Sequence, residues 1–270
     1  MRSPTRLRWP RAYAPFAVAR GADIVMDVRP GPLPPVTGPM RFESGGTWNA
    51  HAPGSGLVYA FRSQGPASPP DRLLTVDVAR TRATLFTPPF RAGSPRPLAY
   101  PLDDLLVQHH FAREGELVVH ACGLVVSGVA VLFCGTSGAG KTTTARLWSR
   151  QARGTRVLSD DRVVLTRDGK GHEAHGTPWH GEGRFASPTS APLRALFFIR
   201  HGARSRVLPL APAAAAARLF ARSFPPPWDA VAIERTLAAC GRVAERTPAW
   251  ELRFRPDASA IRAVRQAIGL

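Results

Sequence analysis

The sequence predicts an α/β (α+β) protein in two parts, a β-rich N-terminal region over residues 1–100 and a larger domain over residues 101–270. Three observations carry this. The first hundred residues hold short strand-like runs separated by prolines and glycines. Further on, an apolar run feeds a glycine-rich loop that opens a helical pattern. The remaining chain alternates apolar strand-length runs with helical patterns at 211–223, 229–246 and 258–268. Strand runs that alternate with helical patterns are how a layered sheet-and-helix domain reads in sequence.

In the first region the turn formers recur: Pro30-Gly31-Pro32, Pro34-Pro35, Gly45-Gly46, Pro66, Pro69 and Pro70. Between them, residues 23–28, 56–62, 73–78 and 83–86 read as strands. Trp9, Trp48, Tyr59 and Phe61 read as core or edge aromatics of this unit, not as a platform for stacking bases. Neither an internal repeat nor a catalytic motif stands out here.

Residues 100–113 are expected to be helical. Leu102, Leu105, Leu106 and Phe111 fall at helical spacing, and Asp103 and Asp104 occupy the first turn, where the helix dipole favours negative charge. Residues 117–121 read as a strand that carries His120 near its end. Residues 123–126 and 129–133 are two apolar runs joined by Ser127-Gly128, a hairpin pattern.

The next stretch carries the chemistry. The apolar run Val129–Cys134 delivers the chain to Gly135, Thr136, Ser137, Gly138, Ala139 and Gly140, followed by Lys141, Thr142 and Thr143 at the start of a helix. This is the G-x-x-x-x-G-K-[ST] spacing between strand and helix, the P-loop pattern. Polyphosphate needs many N–H donors aimed at one point, and glycines let the backbone come close. The helix N-terminus adds unpaired N–H groups and partial positive charge. Lys141 can reach the β- and γ-phosphates, and the Thr142 hydroxyl suits Mg²⁺. The cofactors expected are therefore ATP and Mg²⁺. Lys141 and Lys170 are the only lysines in an otherwise Arg-only chain. A compact ammonium meets phosphate differently from a planar guanidinium.

Nineteen residues after Lys141 comes the pair Asp160-Asp161, after a short apolar entry at 156–158. Two carboxylates there suit a metal ligand and a base. Residues 162–166 read as a strand, and Asp168-Gly169 as a turn. The segment 176–184, Gly-Thr-Pro-Trp-His-Gly-Glu-Gly-Arg, reads as a polar loop able to cover a nucleotide or meet a substrate. Residues 195–200 and 250–254 read as strands, and Pro225-Pro226-Pro227 ends the helix at 211–223.

At these residues the sequence resembles the HPr serine kinase family and, more distantly, ATP-dependent phosphoenolpyruvate carboxykinase. The segments VVHACGLVVSGVAVLFCGTSGAGKTTTARL and VLSDDRV follow that family's order of strand with His, hairpin, P-loop, helix and paired aspartates. The GTPW at 176–179 is similar to that of HPr-kinase-related proteins of bacterial peptide-modification clusters, some of which phosphorylate a serine at the end of a lasso peptide. The resemblance covers roughly residues 100–255. It implies a phosphoenolpyruvate carboxykinase/HPr kinase-type P-loop domain with a mixed sheet and flanking helices. It also implies phosphate binding by Gly135 to Thr143, Mg²⁺ on Thr142 and Asp161, Asp160 as the base, and His120 beside the reacting phosphate together with Lys141. Arg184 is a candidate extra cation. The C-terminal signature that supports the HPr kinase's phosphorylase reaction is not found.

The activity expected is transfer of the γ-phosphoryl of ATP to a serine of a peptide or protein, such as a natural-product precursor. A small-molecule kinase, or an ATP-binding regulatory module without transfer, are the alternatives. The partner expected is the acceptor peptide or protein, and self-association into a homo-oligomer stays open. A net charge of +17 invites a nucleic-acid reading. The arginines are scattered, however, and no groove-reading motif accompanies them, so nucleic acid is not expected. No apolar run of ~18 residues exists, so no membrane span is expected. Three cysteines and a proline-broken basic N-terminus predict a cytoplasmic protein.

Overall fold

A computed structural model describes residues 2–3, 10–54, 56–89, 100–169 and 171–270; Trp9 and Lys170 lie outside them. Two units form, residues 1–11 with 17–107, and residues 12–16 with 108–270. Both sheets are mixed, and the protein is a mixed α+β structure.

The first unit is a six-stranded sheet of β1 (Val25–Pro30), β2 (Met40–Glu43), β3 (Trp48–His51), β4 (Leu57–Phe61), β5 (Arg72–Val76) and β6 (Arg82–Thr87), in the order β1-β6-β5-β4-β3-β2. Only the β1–β6 pair is parallel. All five residues of β4, Leu-Val-Tyr-Ala-Phe, are buried, as a strand covered on both faces requires. Tyr59 packs against Phe61 and Trp48. Strands β2 and β3 have no clear sequence signal. They are four residues each, and β2 is mostly exposed, so neither shows a usable alternation.

Helix α1 (Leu102–Glu114) leads into the second unit, whose sheet is built from β7 (Leu117–Val126), β8 (Val129–Cys134), β9 (Arg156–Ser159), β10 (Arg162–Asp168), β11 (Gly171–His175), β12 (Ser190–His201), β13 (Arg206–Pro209) and β14 (Ala249–Phe254). The order is β11-β10-β7-β8-β12-β14-β13, with β9 also on β7 and β11 also on β12. The central β8–β12–β14 run is parallel. The helices are α2 (Lys141–Gln151), α3 (Pro212–Phe220), α4 (Ala230–Arg246) and α5 (Ala258–Ile268).

Alternation along β8 explains the layers. Ala130, Leu132 and Cys134 face a core completed by Ala215 and Leu219 of α3 and Ala239, Cys240 and Val243 of α4. Val131 and Phe133 face a second core completed by Ala145 and Trp148 of α2 and Ile261 and Val264 of α5. Each fully buried Leu or Phe contributes roughly 1.5–3 kcal/mol, so two such faces commit β8 firmly to the middle of the sheet. Among the described residues, no helix is long and apolar enough to cross a membrane.

The expected break after residue 121 is absent: β7 runs unbroken for ten residues. Gly123 is there for packing. A Cβ at this position would lie 2.8 Å from Val163 Cγ2 and 3.2 Å from Leu158 Cδ1. The hairpin turn is as expected, with Ser127 at φ 50° and Gly128 at φ 81°. Positive φ at both positions matches the right-handed twist of the strands they join.

Candidate functional site

Strand β8 ends at Cys134, and the loop from Gly135 to Gly140 carries the chain into α2. Gly138 has φ 76° and Gly140 φ 106°, values that favour glycine. No side chain caps the first turn of α2. Lys141 folds back over the loop: its Nζ donates to the carbonyls of Gly135 at 3.1 Å and Thr136 at 2.9 Å. Burial lowers its pKa below the ordinary lysine value. The ammonium is thus held by backbone carbonyls of its own loop.

The aspartate pair sits where β9 ends beside β7, and the two residues have unlike surroundings. Asp160 is buried and accepts four hydrogen bonds. Its Oδ1 takes Gly181 N at 2.9 Å and Phe185 N at 3.3 Å, and its Oδ2 takes Gly183 N at 2.8 Å and Thr142 Oγ1 at 2.9 Å. Asp161 is half-buried and pairs with His120 Nε2 at 3.1 Å and with Arg162. Burial alone would raise its carboxyl pKa; the His120 hydrogen bond and the Arg162 charge outweigh burial and hold it below the usual carboxylate range.

Thr142 is thus bonded to Asp160, not to Asp161, the residue with which the resemblance pairs it. The reason is register. Ser159 Oγ accepts from the backbone N–H of both Asp161 and Arg162, and donates to Trp179 O at 2.8 Å. The resulting turn directs consecutive carboxylates to different neighbours.

His120, Lys141, Thr142, Thr143, Asp160 and Asp161 line one cavity of about 360 Å³, with Ser137, Gly138, Gly140, Gly181 and Glu182. Gly135, Thr136 and Ala139 belong to the same loop but not to the lining. A Cβ at Gly135 would meet the Ala139 Cβ and Ile199 at 2.8 Å, so that glycine closes the base of the loop. Arg184 is exposed, has φ 55°, and does not line this cavity. The sequence reading did not assign the N–H groups of Gly181, Gly183 and Phe185, or Glu182, to the site. The only signal was the Gly-Glu-Gly at 181–183, since glycine spacing in a polar loop marks close approach to something. The surroundings of His120 were also missed: the Phe224 ring lies 6.0 Å from its ring, and its backbone N–H donates to the Arg222 carbonyl at 2.7 Å.

A comparison with protein families matches residues 104–252 to ScmC, described as SynChlorMet cassette protein ScmC. That span is more than half of the chain. The chain belongs to the ScmC family. The ScmC match runs from within α1 into β14 and contains the P-loop, His120, both aspartates and the loop that covers Asp160. No curated protein matches the sequence.

The residues present fit a magnesium–nucleotide. The loop is open at Gly138, where a Cβ would meet nothing within 4 Å and the backbone takes positive φ. The neighbouring donors are hydroxyl and carboxylate oxygens, the hard ligands that Mg²⁺ takes alongside substrate phosphates.

Proposed function

We propose that the protein is an ATP-dependent phosphotransferase of the phosphoenolpyruvate carboxykinase/HPr kinase type, which moves the γ-phosphoryl of ATP to a serine hydroxyl of a peptide or protein. One observation carries the reading. Lys141, the Thr142–Asp160 pair and the His120–Asp161 pair all open onto one cavity beside the glycine loop. A nucleotide-binding loop alone would need no second carboxylate–histidine pair.

The unlike surroundings divide the labour. Thr142 would hold Mg²⁺, which neutralises phosphate charge when bound. Asp160 would orient the threonine: its buried carboxylate has its acceptor positions taken by three backbone donors and the Thr142 hydroxyl, so it fixes where that hydroxyl points. Asp161 is the base. It reaches the cavity, it is ionised near neutral pH, and His120 orients it. The acceptor Oγ attacks the γ-phosphorus, its proton passes to Asp161, and the bond to the β–γ bridging oxygen breaks to release ADP. Little basicity is needed, because phosphoryl transfer depends mostly on positioning and neutralisation. The base is thus Asp161, where the family resemblance implies Asp160.

The test is binding of a non-hydrolysable ATP analogue with Mg²⁺ to the purified chain, followed by ATP turnover and mass spectrometry of serine-containing peptides supplied with it. Lys141→Ala should weaken analogue binding and abolish transfer. Failure of the wild-type chain to bind the analogue would remove the reading.

A further inference from the structure

On the other side of β8 from His120, three neighbouring strands carry arginine at one level. Arg200 of β12 stands beside Arg253 of β14, and Arg253 stands beside Arg206 of β13. Residues side by side on adjacent strands point to the same face, so three guanidinium groups form a row. With strands ~4.8 Å apart, the row spans about 10 Å. Like charges placed opposite one another are destabilising unless something neutralises them. The carboxylate nearby is Glu251, 3.9 Å from Arg200 and 3.0 Å from Arg253, and it is shared with Arg218 at 2.9 Å. Among the described residues, no carboxylate pairs with Arg204 or Arg206. The side chains of Arg200 and Arg253 remain 67% and 53% exposed.

These arginines, with Arg204 and His201, line a cleft of about 500 Å³. The cleft adjoins the P-loop. His201 Nε2 hydrogen-bonds the Gly138 carbonyl at 2.9 Å, and the His201 ring stacks on Phe254. Phe254 in turn packs so closely on Gly140 that a Cβ there would lie 2.8 Å from its ring.

We propose that this cleft docks a carboxylate-rich stretch of the acceptor, separately from the nucleotide phosphates. The row of charges is longer than one phosphate, and it suits successive carboxylates on an extended chain. The bearer of those carboxylates rests on the phosphotransferase reading; the anion site itself does not.

Calorimetry with a hexaglutamate peptide and the full chain tests this. Binding should persist with saturating ATP analogue and Mg²⁺, and in Lys141→Ala. Arg204→Glu with Arg206→Glu should weaken it about tenfold or more, since charge-assisted hydrogen bonds are lost. Arg150→Glu with Arg153→Glu, exposed in the last turn of α2 and just beyond it, should change it little. The milder Arg204→Gln with Arg206→Gln should show the same order if the reversed pair folds poorly. Equal losses from both charge-reversed pairs, displacement by the analogue, absence of peptide binding, or cleft-dependent binding of inorganic phosphate in place of the peptide would each overturn the proposal. Intact peptide binding without any phosphotransfer would count against the phosphotransferase reading and leave the cleft standing.

Discussion

The Thr142 hydroxyl donates to the Asp160 carboxylate at 2.9 Å, across eighteen residues of sequence, while the adjacent Asp161 turns to His120. Two neighbouring carboxylates therefore have different partners, and the roles proposed for them can be separated by substitution. Asp160→Asn should weaken Mg²⁺-dependent binding of an ATP analogue. Asp161→Asn should leave that binding intact and cost ~10²–10⁴-fold in turnover, the usual worth of a general base. Calorimetry and turnover on both variants check this; the opposite pattern would return the base to Asp160.

The loop over Asp160 has no room for a side chain at Gly183. A Cβ there would lie 2.6 Å from Asp160 Oδ2 and 2.8 Å from the Phe185 ring. Gly183→Ala should displace the loop, remove its N–H from Asp160 and lower transfer by at least about tenfold, given the usual cost of a lost bond to a charged group. Gly241→Ala is the contrast. That glycine lies inside α4 with nothing within 4 Å of a new Cβ. It should raise stability by up to about 1 kcal/mol and leave transfer unchanged. Denaturant melts and turnover measure both.

Away from the site, Asp229 caps α4, accepting from Ala232 N at 3.1 Å, His109 Nε2 at 2.7 Å and Arg113 Nε at 2.6 Å. Burial alone would raise its carboxyl pKa, but the His109 and Arg113 hydrogen bonds outweigh it and hold the group far below its ordinary 3.8. A depressed carboxylate gives stability that is complete above the unfolded value and lost as pH falls toward the folded one. The wild type should therefore lose stability below about pH 4, and Asp229→Asn should flatten that limb. Asp229→Ala should cost about 3 kcal/mol near neutral pH, since it strands buried partners. Urea melts across pH 2.5–7 would show either result.

Cys122, Cys134 and Cys240 are all buried and free. Burial pushes the thiols of Cys134 and Cys240 up to about 12, and raises Cys122 as well. A thiol reagent that needs thiolate should leave the native chain unmodified at neutral pH and label all three residues once it is unfolded. Rapid labelling of the folded chain would show that a core strand or α4 opens readily.

What the sequence determined by itself was local. The spacing from Gly135 to Thr142 specifies a glycine-rich loop between strand and helix, because each of those residues acts through its local backbone, and the apolar runs in β8 and β12 declare buried strands. The tertiary structure decided everything that depends on which strand lies beside which. Gly123 looks like a strand break until Val163 and Leu158 are brought against it. Asp160 and Asp161 are interchangeable as letters, and only the turn held by Ser159 sends one to Thr142 and the other to His120. Arg200, Arg206 and Arg253 are three among many arginines until the register of β12, β14 and β13 places them in a row. Residues far apart in the chain meet through pairing register and packing, and no short stretch of sequence states that register.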